Sequence, residues 1–216
     1  MSRTIGTDAM ADVVAGGRSY AGQSRAERQA ARRASLIEAG LDVLAEQGLT
    51  GIGVRAICAR AGLTARYFYE SFPSLDDLLV ALCESVGTEI VDAGLRGLRE
   101  APDDWAARVE ACIAGAFDVV LDDPRKACVV AVGAGHAGMN ATRQRMLLDY
   151  ADLVISQFDL IVPTLAGTLS RPTALFLVGG AVELVTARIT GQLEIDRDRL
   201  VAETTGVFLA AMGAHA

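Results

Sequence analysis

Residues 54–72 constrain the fold more than any other part of the chain, because they have the pattern of two short helices separated by a tight turn. Gly62 marks the turn, since glycine readily adopts the left-handed backbone conformation that ends a helix. Ile57 lies on the apolar face of the first short helix. Phe68 and Phe72 recur at the i, i+4 spacing of a second buried face. The pattern therefore predicts a helix-turn-helix.

The outer surface of the second short helix carries polar and aromatic side chains. When Phe68 points inward, a step of about 100° per residue directs Arg66 and Glu70 away from the core. The same step places Tyr67 and Tyr69 on the flanks of the helix. A guanidinium and two phenols can reach phosphates and base edges in the major groove of DNA. The alternative interpretation is the ordinary amphipathic surface of a small helical protein.

Four runs in fixed order and spacing extend this pattern, and together they resemble the DNA-binding domain of the TetR family of bacterial transcriptional regulators. They are residues 37–41, 46–50, 54–64 and 68–79. The resemblance implies a ligand-responsive regulator, most often a repressor, that binds a palindromic double-stranded DNA operator as a dimer. It also implies that a small-molecule effector bound by the C-terminal helices releases the operator. Activation instead of repression stays open.

Three positions depart from the pattern of the family. Gly53 stands where a Ser or Thr usually caps the second helix, and Ser71 stands where a hydrogen-bonding aromatic residue is frequent. Leu75 replaces a lysine that usually contacts phosphate, which removes one electrostatic contact. We expect the remaining polar groups of the first three helices to bind DNA. These predicted DNA-binding residues are Arg33, Arg55, Thr64, Ala65, Arg66, Tyr67, Tyr69 and Ser71.

The charge of the chain changes sign where the helix-turn-helix ends. The whole chain has a net charge of -7, which by itself argues against binding to nucleic acid. Residues 1–72, however, hold nine Arg and seven acidic residues, whereas residues 73–216 hold eleven basic and twenty acidic residues. An acidic second part would orient the neutral-to-basic first part toward the polyanion.

Helix caps and apolar periodicity predict an all-α fold of about nine helices and no strands. We expect residues 1–23 to be a disordered N-terminal arm. Residues 24–75 are predicted to form a helix-turn-helix DNA-binding domain of three helices, and residues 76–216 a helical effector-binding and dimerisation domain. Predicted helix starts are Ser24, Ser74, Pro102 or Asp103, Asp123, Asn140, Ser170 and Asp196, and predicted breaks are Gly48 and Gly133.

The last two predicted helices carry more apolar residues than a small domain needs for its own core. Doubled about a two-fold axis, such a pair would form a four-helix homodimer interface. The alternative is that both helices close the core of the monomer.

The predicted effector site is a cavity between the C-terminal helices, and we expect the effector to be largely apolar. The candidate lining residues are Trp105, Phe117, His136, Met139, Arg143, Met146, Tyr150, Phe158, Phe176 and Glu183. His136 is equally consistent with a loop histidine that binds nothing.

Two other functional classes compete with the regulator. Residues 133–138 match G-x-G-x-x-G after a short β-capable run, which suggests a nucleotide-binding enzyme, although no further strands are predicted to complete its sheet. A helical protein-interaction module with a repurposed helix-turn-helix would explain Glu70 and Leu75.

Catalytic and metal-binding patterns are weak. The chain has two histidines and four cysteines, and the cysteines form no CxxC or Cys/His cluster. We therefore expect no catalytic residue, no metal site and no cofactor. The cysteines are predicted to be reduced core residues of a cytoplasmic protein without a membrane-spanning segment.

Overall fold

The computed structural model describes residues 24–213, which form nine α-helices and one short 3-10 turn and contain no strand. The predicted all-α fold is therefore confirmed, and the predicted arm, residues 1–23, lies outside the described residues. The helices are α1 (Arg25–Gly51), α2 (Val54–Ala61), α3 (Ala65–Ser71), α4 (Leu75–Glu100), α5 (Trp105–Leu121), α6 (Pro124–Gly133), α7 (Ala137–Ile161), α8 (Arg171–Ile189) and α9 (Arg197–Gly213), and the 3-10 turn is Pro163–Leu165.

Side-chain caps set most of the helix starts. The Ser24 hydroxyl accepts a hydrogen bond from the Glu27 N–H, and the Glu27 carboxylate accepts one from the Ser24 N–H, which is the predicted capping box. Two predicted starts were wrong by a few residues. Asp104 caps α5, and the ring of His136 caps α7 by accepting from the Met139 N–H. Gly48 breaks α1 with a φ of 66° before helical backbone resumes.

The apolar faces of α1 to α4 pack as the periodicity predicts. Ile57 and Phe68 are fully buried, and the rings of Phe68 and Phe72 lie 5.8 Å apart between centroids. Gly40 of α1 lets α4 approach closely, since a Cβ at this position would lie 2.9 Å from Leu78 Cδ2. The start of α4 therefore packs tightly on α1.

The other half of α4 packs even more closely against α5, through glycines on both helices. A Cβ at Gly115 would lie 2.7 Å from the Ala93 carbonyl oxygen, and one at Gly97 would overlap the backbone carbonyl of Ala111. Backbone atoms cannot move aside as the end of a flexible side chain can. The buried residues of α1 to α4 and of the later helices form one continuous cluster, so α4 connects both ends of the core.

Helices α8 and α9 leave apolar side chains uncovered. Phe176 of α8 is 75% exposed and Val207 of α9 is 52% exposed. The described residues include one helix, α8 (Arg171–Ile189), that is long and apolar enough to cross a membrane by length and composition alone. Only 22% of its most apolar 18-residue segment is buried inside the protein. Much of the apolar surface of α8 and α9 therefore faces outward.

We predict that Gly97→Ala lowers the free energy of unfolding by about 1–3 kcal/mol, because the new methyl group must push α4 away from α5. Chemical denaturation at fixed protein concentration measures the change. Gly53→Ser is the control, since its Cβ meets no atom within 4 Å and its hydroxyl can cap α2. Equal stabilities of the two variants would contradict the proposed role of the close approach.

Candidate DNA-binding surface and ligand cavity

Helix α3 exposes the side chains that the sequence places outward. The helix begins after Thr64, and its inward face is marked by the fully buried Phe68. The Arg66 side chain is 85% exposed, and Tyr67 and Tyr69 are 37% and 59% exposed. This surface presents one guanidinium and two phenols to the solvent on a helix of seven residues.

An acidic side chain occupies the same surface and pairs with the arginines around it. Arg66 Nε donates to Glu70 Oε1 at 2.9 Å, and Arg32 Nη2 lies 4.0 Å from Glu70 Oε2. The Arg32 guanidinium also lies 4.6 Å from the centre of the Tyr67 ring, a cation–π contact. Arg32 was missing from the predicted site, because helical periodicity places it on α1 without showing that α1 lies beside α3.

The other predicted DNA-binding residues differ in accessibility. Arg55, Thr64 and Ala65 are exposed, and the Arg33 guanidinium lies 4.8 Å from the centre of the Phe72 ring. Ser71 contradicts the prediction, because its hydroxyl is buried and has no hydrogen-bond partner among the described residues.

A cavity of about 220 Å³ lies between helices α4, α5, α7, α8 and α9. Four of the predicted lining residues do line it, namely Trp105, Phe117, Tyr150 and Phe158. The rings of Trp105 and Phe158 meet edge to face at 5.6 Å. A second cavity of about 70 Å³ is lined by Arg143, Met146 and again Tyr150. Tyr150 therefore lies where the two cavities adjoin.

The remaining four predicted lining residues do not line either cavity, and the prediction is corrected for them. His136 caps α7, and its Nε2 lies 3.3 Å from Asp76 Oδ1. Met139 is fully buried in the core, Phe176 points outward from α8, and Glu183 is exposed and pairs with Arg143. Apolar periodicity cannot distinguish a wall of a cavity from a filled core or an exposed face.

An ionic cluster joins α6 to the first two helices. Arg125, at the start of α6, contacts Asp42 at 2.9 Å and Glu38 at 3.3 Å on α1, and Asp123 at 2.8 Å beside it. Arg60 of α2 reaches the other oxygen of Asp42 at 3.1 Å. The hydrogen bond from Arg125 holds the pKa of the Asp42 carboxyl below its ordinary value, against the opposing effect of burial. This cluster is a second contact, besides α4, between the helix-turn-helix and the later helices.

The glycine-rich run and the cysteines show no enzymatic arrangement in the described part of the chain. Residues 129–133 lie in α6, so the β-capable run is helical and cannot supply the strand of a dinucleotide-binding fold. No group of three or more His, Cys, Asp or Glu side chains within residues 24–213 could hold a metal ion. Burial raises the pKa of the Cys112 thiol to about 11. It also raises the pKa values of the thiols of Cys58, Cys83 and Cys128.

Helices α2 and α3 with the turn between them form a helix-turn-helix, and a helical body that encloses a cavity follows it. Residues 36–82 match the family model described as bacterial regulatory proteins, tetR family. The match falls on the N-terminal helices, and it confirms the resemblance seen in the sequence.

Other proteins resemble longer parts of the chain. The HTH-type transcriptional regulator BetI of Klebsiella pneumoniae (strain 342) is 33% identical over 91 residues, which are 42% of this chain and 47% of BetI. The match thus spans about half the length of that relative. The fatty acid degradation regulator FadR from Bacillus halodurans has a TM-score of 0.69 at 19% identity, covering 84% of this chain and 95% of FadR.

A second solved structure is a transcriptional regulator FadR from Bacillus subtilis in complex with stearoyl-CoA. It has a TM-score of 0.66 at 18% identity and covers 83% of this chain and 97% of the other. At these identities the two FadR structures show that the fold is shared.

Arg66→Ala is expected to weaken binding to the DNA that flanks the protein's own gene at least tenfold, since a contact to a base or phosphate is worth about 1–3 kcal/mol. A gel-shift titration measures the loss, and circular dichroism checks that the fold is kept. Arg145→Ala is the matched control, because Arg145 is an exposed arginine paired with Glu84 away from α3. Unchanged DNA binding by Arg66→Ala would rule out this assignment of α3.

Glu70→Gln is expected to strengthen DNA binding up to about fivefold per protomer, because exposed ion pairs of this kind hold a side chain by about 0.2–1 kcal/mol. The substitution removes the ion pair that holds Arg66, and it removes an acid from the surface predicted to face DNA. Titrations at several salt concentrations measure both affinity and salt dependence. Glu84→Gln is the control, and weaker binding by Glu70→Gln would instead favour a surface that contacts protein.

Proposed function

We propose that this protein is a ligand-responsive transcriptional regulator, a repressor, that binds a palindromic DNA operator as a homodimer and is released by a small-molecule effector. The observation that carries the proposal is the connection of two sites by one helix. The exposed surface of α3 lies in a segment that matches a DNA-binding family, and the apolar cavity lies between later helices. Helix α4 begins directly after α3 and also lines the cavity.

The functional division that we propose places residues 24–75 in a DNA-binding domain and residues 76–216 in an effector-binding and dimerisation domain. Ser74 caps α4 at the proposed boundary. Because the core is continuous across this boundary, a movement of α4 would carry the first three helices with it.

Dimerisation is proposed to use the outward faces of α8 and α9. Phe176, Gly180 and Leu184 recur every four residues on α8 and are exposed, which makes one apolar stripe. On α9, Ala202, Gly206, Val207 and Ala210 are small or apolar and exposed. Two copies packed through these faces would form a four-helix interface. The two α3 helices could then enter successive major grooves, about 34 Å apart.

A second copy of the chain accounts for the apolar surface of α8 better than a lipid bilayer does. The helix carries Arg171, Glu183 and Arg188, and Arg171 is paired with Asp152 of α7. Charged groups at these positions are costly in hydrocarbon but are common at the rim of a protein interface. We therefore propose a cytoplasmic protein that makes no contact with membranes and acts through binding, with no catalysis and no cofactor.

Release of DNA needs an effector that prefers the state with lower DNA affinity, and typical coupling free energies are about 1–3 kcal/mol. The FadR structure from Bacillus subtilis is a complex with stearoyl-CoA, which supports the idea that a body of this fold can hold a largely apolar ligand. For this chain, α4 and the cluster around Arg125 are the contacts through which such a preference would reach α3.

Phe176→Arg combined with Val207→Arg is expected to convert the dimer into a folded monomer, because each face of the interface would bury an unpaired charge. Sedimentation measures the mass, and gel shift should show a loss of operator binding of at least tenfold. Leu160→Arg is the control, since Leu160 of α7 is 72% exposed but lies outside α8 and α9. A doubly substituted protein that remains dimeric would contradict the proposed interface.

A further inference from the structure

The wall of the main cavity carries no charged side chain among its lining residues. Four of those residues can form hydrogen bonds through their side chains, and they are Trp105, Cys112, Tyr150 and Gln157. Only the Tyr150 hydroxyl among these is a buried oxygen or nitrogen without a hydrogen-bond partner in the described part of the chain. Buried polar groups usually have a hydrogen-bond partner. The Tyr150 hydroxyl has none among the described residues, so it can still donate a hydrogen bond to a ligand.

The surroundings of the hydroxyl disfavour ions. Burial raises the pKa of Tyr150 above its ordinary value and that of Cys112 to about 11, so both groups are neutral near pH 7. Arg143 lines the adjoining smaller cavity, but its guanidinium already pairs with the Glu183 carboxylate. A carboxylate or ammonium in the main cavity would therefore lose its hydration without gaining a partner.

We propose that the effector is a neutral, mostly hydrocarbon molecule with a hydrogen-bond acceptor, such as a carbonyl oxygen, which accepts the hydrogen bond that the Tyr150 hydroxyl donates. This inference rests on the proposed function, because it names the class of ligand for the same cavity. The apolar wall supplies affinity through burial of hydrocarbon, and the hydroxyl selects molecules with an acceptor.

The same hydroxyl lies against α4, which connects the ligand to the DNA-binding helices. A Cβ at Gly87 of α4 would lie 2.5 Å from the Tyr150 hydroxyl oxygen and would overlap the end of Met146. Gly87 therefore provides the space into which both side chains fit. The hydroxyl is enclosed at this position, so a ligand that accepts its hydrogen bond must draw the side chain away from Gly87 and thereby changes the packing on α4.

Four compounds built on one phenyl ring test the ligand class by calorimetric titration of the full-length protein. Acetophenone carries a neutral carbonyl acceptor, and cumene has nearly the same shape without an acceptor. Benzoate and phenyltrimethylammonium are the anionic and cationic counterparts. Acetophenone is expected to bind at least tenfold more tightly than either ion.

Tyr150→Phe removes the hydroxyl oxygen and keeps the ring. The variant is expected to bind acetophenone about tenfold more weakly than the original protein and to bind cumene equally well, as the loss of a buried hydrogen bond predicts. Without ligand its melting temperature should be unchanged or higher, since it loses an unpartnered buried hydroxyl. Tyr69→Phe, an exposed tyrosine outside the cavity, is the control.

Three results would overturn the proposal: no binding of acetophenone, equal acetophenone affinity in Tyr150→Phe, or binding of either ion as tight as that of acetophenone. A gel shift with the same samples separates this inference from the proposed function. If acetophenone binds through Tyr150 and DNA affinity does not change, the ligand class stands and the release of DNA by the effector fails. If DNA binds and acetophenone does not, DNA binding stands and the ligand class fails.

Discussion

The close packing of α4 is the constraint on which the rest of the structure depends. At one end Gly40 of α1 leaves space for the leucines of α4, and at the other end Gly97 brings the backbones of α4 and α5 into contact. Because protein interiors are packed as densely as crystals, a helix held at both ends cannot shift at one end alone. A change near the cavity is therefore expected to move α4 as a unit, and the helix-turn-helix that packs on its start is expected to follow. The ionic contacts of Arg125 with Asp42 and Glu38 add a second connection, one that can break and re-form with little loss of packing.

Local sequence patterns predicted most of the fold because the interactions they report lie within one or two helical turns. The capping box at Ser24, the break at Gly48 and the inward position of Phe68 each depend on residues that are close in the chain. The exposed position of Arg66 follows from the same periodicity, and its pair with Glu70 lies at the i, i+4 spacing that could have indicated it. To predict these features, it was sufficient to know where each helix lies in the sequence.

The parts of the site that sequence could not predict depend on which helices become neighbours. Glu183 and Arg143 are forty residues apart and meet only because α7 packs on α8, so Glu183 neutralises a cation beside the smaller cavity and does not line it. Phe176 was predicted to line the cavity, yet it lies on the uncovered face of α8. A core face and an interface between subunits have the same apolar periodicity, since both exclude water, and only the positions of the other helices distinguish them.

Tyr150 shows how one residue can connect recognition and response without any charged group in the cavity. Its hydroxyl has no protein partner, it lies at the junction of two cavities, and it rests on Gly87 of α4. A ligand can shift an equilibrium between two states only by as much as its affinities for the two states differ. A hydrogen bond to Tyr150 satisfies that condition if two positions of the tyrosine ring differ. One is the position in which the hydroxyl reaches the ligand, and the other is the position that α4 allows in the proposed DNA-bound state. Burial of hydrocarbon alone would discriminate less between the two states, because an apolar wall keeps contact with an apolar ligand over a range of positions. A hydrogen bond, by contrast, weakens steeply with distance and angle. Among the polar groups of this wall, the unpartnered Tyr150 hydroxyl is therefore the one best suited to make ligand binding depend on the position of α4.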